Sequence, residues 1–420
     1  HVVTVPLAPL LASPEDGAVV NASDPVVFEW SAVPCADEFA PPIYTLELSE
    51  QSDFATTLHT ESTVELSESF TFDGAYAAVY WHVQAVCDGV SGEQSTLRQL
   101  EVVGTQTMVH VATNGNDTND GSEEHPFQTI QRGIDALPDG GEVVVHEGEY
   151  SITSTIAMAS GILLRGATGD PSDVVVDAGG ACKVIECFDV DATAGIEGLT
   201  LRDGLAPGGS NWGGGIGLFN SSPSITRCIL LGNEASIGAA IHCYQASSPV
   251  VTECLIAFNT GQSSVLGAGS SLPLGEAAPH YEHCTVYGNE VTGVGNRGIL
   301  LCSQYATPRL EACVVSRSIG GVALRELNGA EAIVNCSIFW GNAEGPGDVA
   351  DQIDGEVNFA LEPLFCDPGG LEFGVANVSP CLPGNNPCGV LIGAYGESCT
   401  VTVVADGVPM GTALGQNRPN

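Results

Sequence analysis

Short runs of alternating apolar and polar residues, broken every few positions by Gly, Pro, Asn or Ser, make up most of the chain. Val26-Val27-Phe28-Glu29-Trp30 places Phe28 and Trp30 on one face of a strand, and Tyr44 to Leu48 and Tyr80 to Ala85 read the same way. One stretch departs from the two-residue period. Phe127, Ile130, Ile134 and Leu137 recur at helical spacing and Pro138 follows them, so a short amphipathic helix is predicted near 127–137. From Glu142-Val143-Val144-Val145 onward the strand pattern resumes and then repeats itself.

The repeat is clearest when segments are aligned on one cysteine. Cys228, Cys254, Cys284, Cys313 and Cys336 follow one another at 26, 30, 29 and 23 residues, and Ser222-Pro223, Ser248-Pro249, Ala278-Pro279 and Thr307-Pro308 mark one recurring turn. A period of this size, made of short strands without a helix, predicts a solenoid of stacked β-coils. Stacking puts equivalent residues about 4.8 Å apart, so each repeated column becomes a ladder. The cysteines read as buried small hydrophobes, and Asn233, Asn259, Asn289 and Asn342 as turn amides that satisfy one another.

If Cys228 and Leu230 point inward, Ile229 and Leu231 point outward. The same columns then carry Leu255, Ala257, Thr285, Tyr287, Val314 and, one residue later, Ser337 and Phe339. An apolar stripe on an outer face calls for a cover: the N-terminal region, a long loop or another subunit. Ile229, Leu231, Leu255, Tyr287, Val314 and Phe339 are therefore the expected assembly interface.

The fold class expected is all-β: a small β-sandwich over 1–104, a right-handed parallel β-helix over 105–399, and a C-terminal extension or linker over 400–420. With Ser13 to Gly17, the Phe28-x-Trp30 strand and Tyr80 to Ala85, the first region resembles a fibronectin type III module. The Asn114 to Asp120 loop followed by Pro126-Phe127-Gln128-Thr129-Ile130-Gln131 resembles the N-terminal cap of pectate-lyase-like β-helix proteins. Pro363 to Pro368 and Ser379-Pro380-Cys381 resemble the closing segment of choice-of-anchor surface proteins and are expected to form the final coil. Leu414 to Asn420 is similar to the opening of a type IX secretion sorting domain, with Arg418 where tyrosine is usual. Together these resemblances imply a protein outside the cell or on a bacterial surface.

Charge narrows the partners. Against 51 acidic residues stand 11 Lys and Arg, a formal net charge of -40, which excludes free nucleic acid and anionic lipid. No apolar run is long enough for a transmembrane helix. Fifteen cysteines without paired CxxC motifs point to an oxidising compartment and several disulfides. Cys35 with Cys87, and Cys182 with Cys187 as a small loop, are the pairs expected.

Cleaving a polyuronate by elimination needs a base and cations to offset the substrate carboxylate. Lys183, the one lysine, with Arg165 and Arg202 in consecutive early coils, supplies the available candidates if the three share a face. The NTD, DD and GHG motifs of β-helix polygalacturonases do not occur. Glu253 and His283 precede the cysteine in adjacent coils and are the metal candidates. No cofactor is required; the Asn114 to Asp120 loop has the Asn and Asp content to hold Ca²⁺, but its spacing lacks an EF-hand Glu and a capped Asx-turn loop is the favoured reading. Trp212, Tyr244, Tyr305 and Trp340 are the aromatics that a sugar could stack on. The leading expectation is a non-enzymatic structural or adhesive protein that self-associates or binds an extracellular partner. The second is a carbohydrate-active protein: a polysaccharide lyase, a hydrolase or a glycan-binding module.

Overall fold

The computed structural model describes residues 5–22, 24–35, 41–104, 106–206, 211–270, 275–347 and 358–400. Leu414 to Asn420 thus lies outside the described residues. Among the described residues the chain is all-β apart from one short α-helix and two single-turn 3-10 helices, and it divides into two compact units between Gln106 and Thr107.

In the first unit, Leu11–Ser13, Val26–Trp30 and Ser67–Phe70 form one antiparallel sheet. A second sheet runs Ala18–Asn21, Arg98–Val103, Tyr76–Cys87, Ile43–Ser49, His59–Thr63, with Val90–Gln94 paired to its central strand. The period-2 faces meet in one core, where Phe28 stands edge-on to Trp81 at 5.0 Å between ring centroids. Cys35 and Cys87 are disulfide-bonded.

The second unit is a right-handed parallel β-helix. Its first sheet has nine strands, from Met108–Val111 to Ile333–Asn335; its second has eight, from Gly148–Ser151 to Ile338–Trp340; its third has seven, from Ile156–Ala157 to Val322–Leu327. Two recurring left-handed turns explain why the later strands of the second sheet are only three residues long. Arg227, Glu253, His283, Ala312 and Cys336 have φ of 48 to 55° at its entry, and Gly232, Phe258, Gly288, Arg317 and Gly341 have φ of 56 to 66° at its exit. The residue after four of these five exit turns is an asparagine of the amide ladder, with Ser318 standing after Arg317. Asn233 donates its backbone N–H and Nδ2 to Asn259 Oδ1 at 2.9 and 3.0 Å, and Asn259 repeats both contacts with Asn289 at 2.9 and 3.1 Å.

The cysteine ladder is likewise internal, but it holds four members rather than five. Cys228, Cys254, Cys284 and Cys313 are buried free thiols, and burial pushes the last three far up. Ser337 takes the next rung, its Oγ accepting from Cys313 N at 3.1 Å. Cys336 sits instead in the entry turn and is bonded to Cys388. The expected Cys182–Cys187 bond is not formed: both thiols are free and buried, as separate members of the solenoid core.

The one-residue offset at Cys336 also corrects Phe339. Val315 pairs with Phe339, so Phe339 points into the core, and Ile338 and Trp340 occupy the outer columns. That outer face is covered from within the chain. Phe359 adds one parallel bridge beyond Ile338, and the residues after it fold back over that face as a strap built on the small sheet of Phe365–Asp367, Glu372–Ala376 and Glu397–Cys399. Phe373 packs on Leu255 and Ala257 with Ile229, Leu231 and Tyr287 around it, while Val375, Cys381 and Ile392 cover Val314 and Ile338. Cys336–Cys388 and Cys366–Cys399 staple the strap.

At the N-terminal end the helix is Ile130–Asp135, shorter than the stretch predicted, because Phe127 bridges to Val111 in strand fashion and Thr129 is the N-cap. Asn116 closes an Asx turn on Thr118 N at 3.0 Å. Asp117 accepts from Gln128 N, Thr129 N and Thr129 Oγ1, each at 2.8 Å. Burial pushes its carboxyl up, but the Thr129 and Gln128 hydrogen bonds outweigh that and hold it below the usual range. Asp117→Ala is expected to cost about 1 kcal/mol at neutral pH. A group with a depressed folded pKa contributes above its unfolded value and loses that contribution as pH falls through the folded one. Urea unfolding of both proteins should therefore show a gap at pH 7 that closes below pH about 3.

Candidate functional site

The outer face of the third sheet carries a different pattern from the second. Phe188, Phe219 and Tyr244 stand in one column, paired rung by rung, with successive ring centroids 5.6 and 5.7 Å apart. The next rung is Leu266-Gly267-Ala268-Gly269, whose two outward positions are both glycine. One rung without outer side chains leaves a notch between Ile241–Tyr244 and Gly298–Ser303, which are two strand spacings, about 9.6 Å, apart. The resulting cleft has a volume of about 570 Å³ and is lined by Trp212, Ile237, His242, Tyr244 and Leu301, with Asn211, Ser236, Ser303 and Gln304 supplying amides and hydroxyls.

Both glycines at the base of this arrangement are required by close approach. A Cβ on Gly267 would lie 2.5 Å from His242 Nδ1, and one on Gly217 would lie 2.8 Å from the Trp212 ring. Trp212 is held from beneath as well. Lys183 Nζ lies 3.8 Å from its ring centroid and pairs with Glu186 Oε2 at 2.5 Å. His242 packs 5.4 Å from Trp212, is 7% exposed, and has no partner for Nδ1. Burial, reinforced by the Lys183 charge, lowers its pKa to about 4, so the imidazole is neutral at ordinary pH.

The three cations expected to share a face do not. Arg165 lies on the first sheet, ion-paired with Glu142; Arg202 lies on the second, 2.7 Å from Asp177 and 3.1 Å from Glu149; Lys183 stands at the third. The three stand at three different sheets and so face three directions. Glu253 and His283 both occupy entry turns, and His283 Nδ1 is 2.7 Å from the Leu391 carbonyl oxygen of the strap. Among the described residues no group of three or more His, Cys, Asp or Glu is placed to hold a metal.

Of the aromatics singled out in the sequence, Trp212 and Tyr244 reach the cleft; Trp340 packs under the strap, and Tyr305 is half exposed against Gly329. Phe188, Phe219 and His242 went unnoticed. The signal that finds them is Gly-x-Gly inside a strand, which marks a close approach or an opening, read together with an aromatic at the matching offset in three earlier coils.

No curated protein matches the chain. Among solved structures it is similar to a pectate lyase at 15% identity and a TM-score of 0.41, over 56% of this chain and 64% of that one. It therefore spans less than two thirds of that protein. A pectin methylesterase from Aspergillus niger matches at 14% identity and a TM-score of 0.33, over 59% of this chain and 88% of that one. A family 28 exopolygalacturonase from Yersinia enterocolitica matches at 10% identity and 0.18, over 80% and 99%. Within the chain, residues 113–157, which hold the capping loop, the helix and the first coil, match the family described as protein of unknown function (DUF1565).

Proposed function

We propose that this protein binds an extracellular glycan along the third sheet, and that binding rather than bond cleavage is its role. The observation that carries this reading is the aromatic column Phe188–Phe219–Tyr244 leading into the glycine notch. Rings one strand apart, tilted 44° and 41° to one another, offer an apolar surface for the flat faces of sugars, and the notch adds amides and hydroxyls that can meet sugar hydroxyls. Phe188 is 52% exposed, at the open end of the column, where the preceding strand Ile156–Ala157 does not reach it. Bond cleavage is disfavoured because the cations that elimination would need face three ways and are each ion-paired.

An extracellular location is supported by three disulfides, one in the first unit and two holding the strap. On this reading the first unit is a fibronectin type III-like spacer. Assembly through the Ile229–Leu231 stripe is set aside, since the strap covers it.

A glycan array followed by calorimetry on its hits tests the proposal. Tyr244→Ala is expected to weaken binding about tenfold, equivalent to about 1.4 kcal/mol, with an unchanged circular dichroism spectrum. If no glycan binds, or if Tyr244→Ala binds as well as the parent, the third sheet is not the site.

A further inference from the structure

We infer that the notch selects uncharged sugar units and rejects uronates. This rests on the glycan-binding reading and adds to it the class of ligand. Among the described residues, none that lines the cleft carries a carboxylate, ammonium or guanidinium group. A uronate carboxylate placed there would give up water without meeting a cation, and a buried unpaired charge is strongly unfavourable.

Among the described residues two cations stand close by and neither lines the cleft: Arg325, one rung beyond Leu301 in the same outward column and engaged with a partner of its own, and Lys183. Lys183 has a side chain only 7% exposed, already paired with Glu186 and covered by the Trp212 ring. It serves as a positioning residue for that ring, and its charge is spent before any ligand arrives. His242 stays neutral and so offers a hydrogen bond, not a charge. Around the notch, the chain's formal net charge of -40 adds a repulsive field for any anionic polymer.

A neutral chain meets none of these penalties. Its hydroxyls can pair with Asn211, Ser236, Ser303 and Gln304, and its ring faces can lie against Trp212 and Tyr244.

The experiment is calorimetry on the full chain with neutral oligosaccharides (gluco-, manno- and N-acetylhexosamine series) and oligogalacturonate of equal length, in EGTA and in Ca²⁺. The expected result is at least a 30-fold preference for a neutral series, with neutral binding unchanged between low and high salt. Glu186→Gln, which leaves Lys183 without its counter-ion, should narrow the preference about fivefold. Should that variant not fold, the parent's preference and salt independence still decide the matter. Oligogalacturonate binding as tightly as the neutral series, with or without Ca²⁺, would overturn the selectivity while leaving glycan binding in place. Absence of binding by every series would overturn both.

Discussion

Replacing Phe373 by Ala is expected to destabilise the second unit by about 3–5 kcal/mol and to turn the protein into one that self-associates. Phe373 is 2% exposed and is the keystone of the strap's contact with the second sheet. Its ring stands edge-on to Tyr287 at 5.1 Å and to Phe365 at 5.4 Å, above Leu255 and Ala257. Truncation leaves a cavity over that stripe, and any loosening of the strap presents Leu255, Tyr287 and Val314 to water. Calorimetric melting reads the first effect and light scattering across a concentration series reads the second. A variant that melts with the parent and stays at the parent's mass would show that the strap is not what satisfies the stripe.

A comparable loss is expected for Asn259→Leu, for an opposite reason: polar groups are orphaned rather than apolar ones exposed. Asn259 Oδ1 accepts from Asn233 N and Nδ2, while its Nδ2 donates to Leu230 O at 2.9 Å and Ala257 O at 3.0 Å. All of this lies where Asn233, Asn259 and Asn289 are fully buried, so water cannot replace the lost partner. Each stranded group costs about 1–3 kcal/mol, and several are stranded together, giving roughly 3–5 kcal/mol. Asn342 provides the control. It accepts only from Ser318 N and donates to Val315 O at the last rungs, so Asn342→Leu should cost about half as much. Equal losses at the two sites in urea unfolding would mean that the ladder gains nothing from its continuity.

These ladders were legible in the sequence because most coils repeat the same residue at the same offset from the Cys228 column, with serine breaking each ladder once, at Ser337 and Ser318. The solenoid, the inward thiols and the amide turn follow from that repetition alone. Phe339 was misplaced because the alignment counted from Cys336, whereas the structural register counts from Ser337; one residue in a strand reverses every side chain. The strap was hidden for a different reason. Pro363 to Pro368 and Ser379 to Cys381 have the apolar spacing of another coil, and only tertiary packing distinguishes one more rung from a segment folded back over earlier ones. The third-sheet site escaped because loops of unequal length precede its strands: Phe188, Phe219 and Tyr244 are 31 and 25 residues apart, so an alignment on the second sheet does not bring them together. The cations failed as a group because chain proximity within a coil means neighbouring faces, not a shared one.

The staple between Cys336 and Cys388 also decides how tension travels through the molecule. A pull applied at Thr400 meets Cys399 first, where it divides between the bond to Cys366 and the backbone to Cys388; from Cys388 it crosses covalently to Cys336, in the entry turn of the last strand of the second sheet, across a sequence separation of 52 residues. On this second route the intervening chain is bypassed, so the strap cannot be peeled from the stripe like tape, and the load is delivered to hydrogen-bonded rungs set in register beneath it. Whatever is joined beyond that point hangs from the body of the β-helix itself, and only a reductant would lengthen the tether.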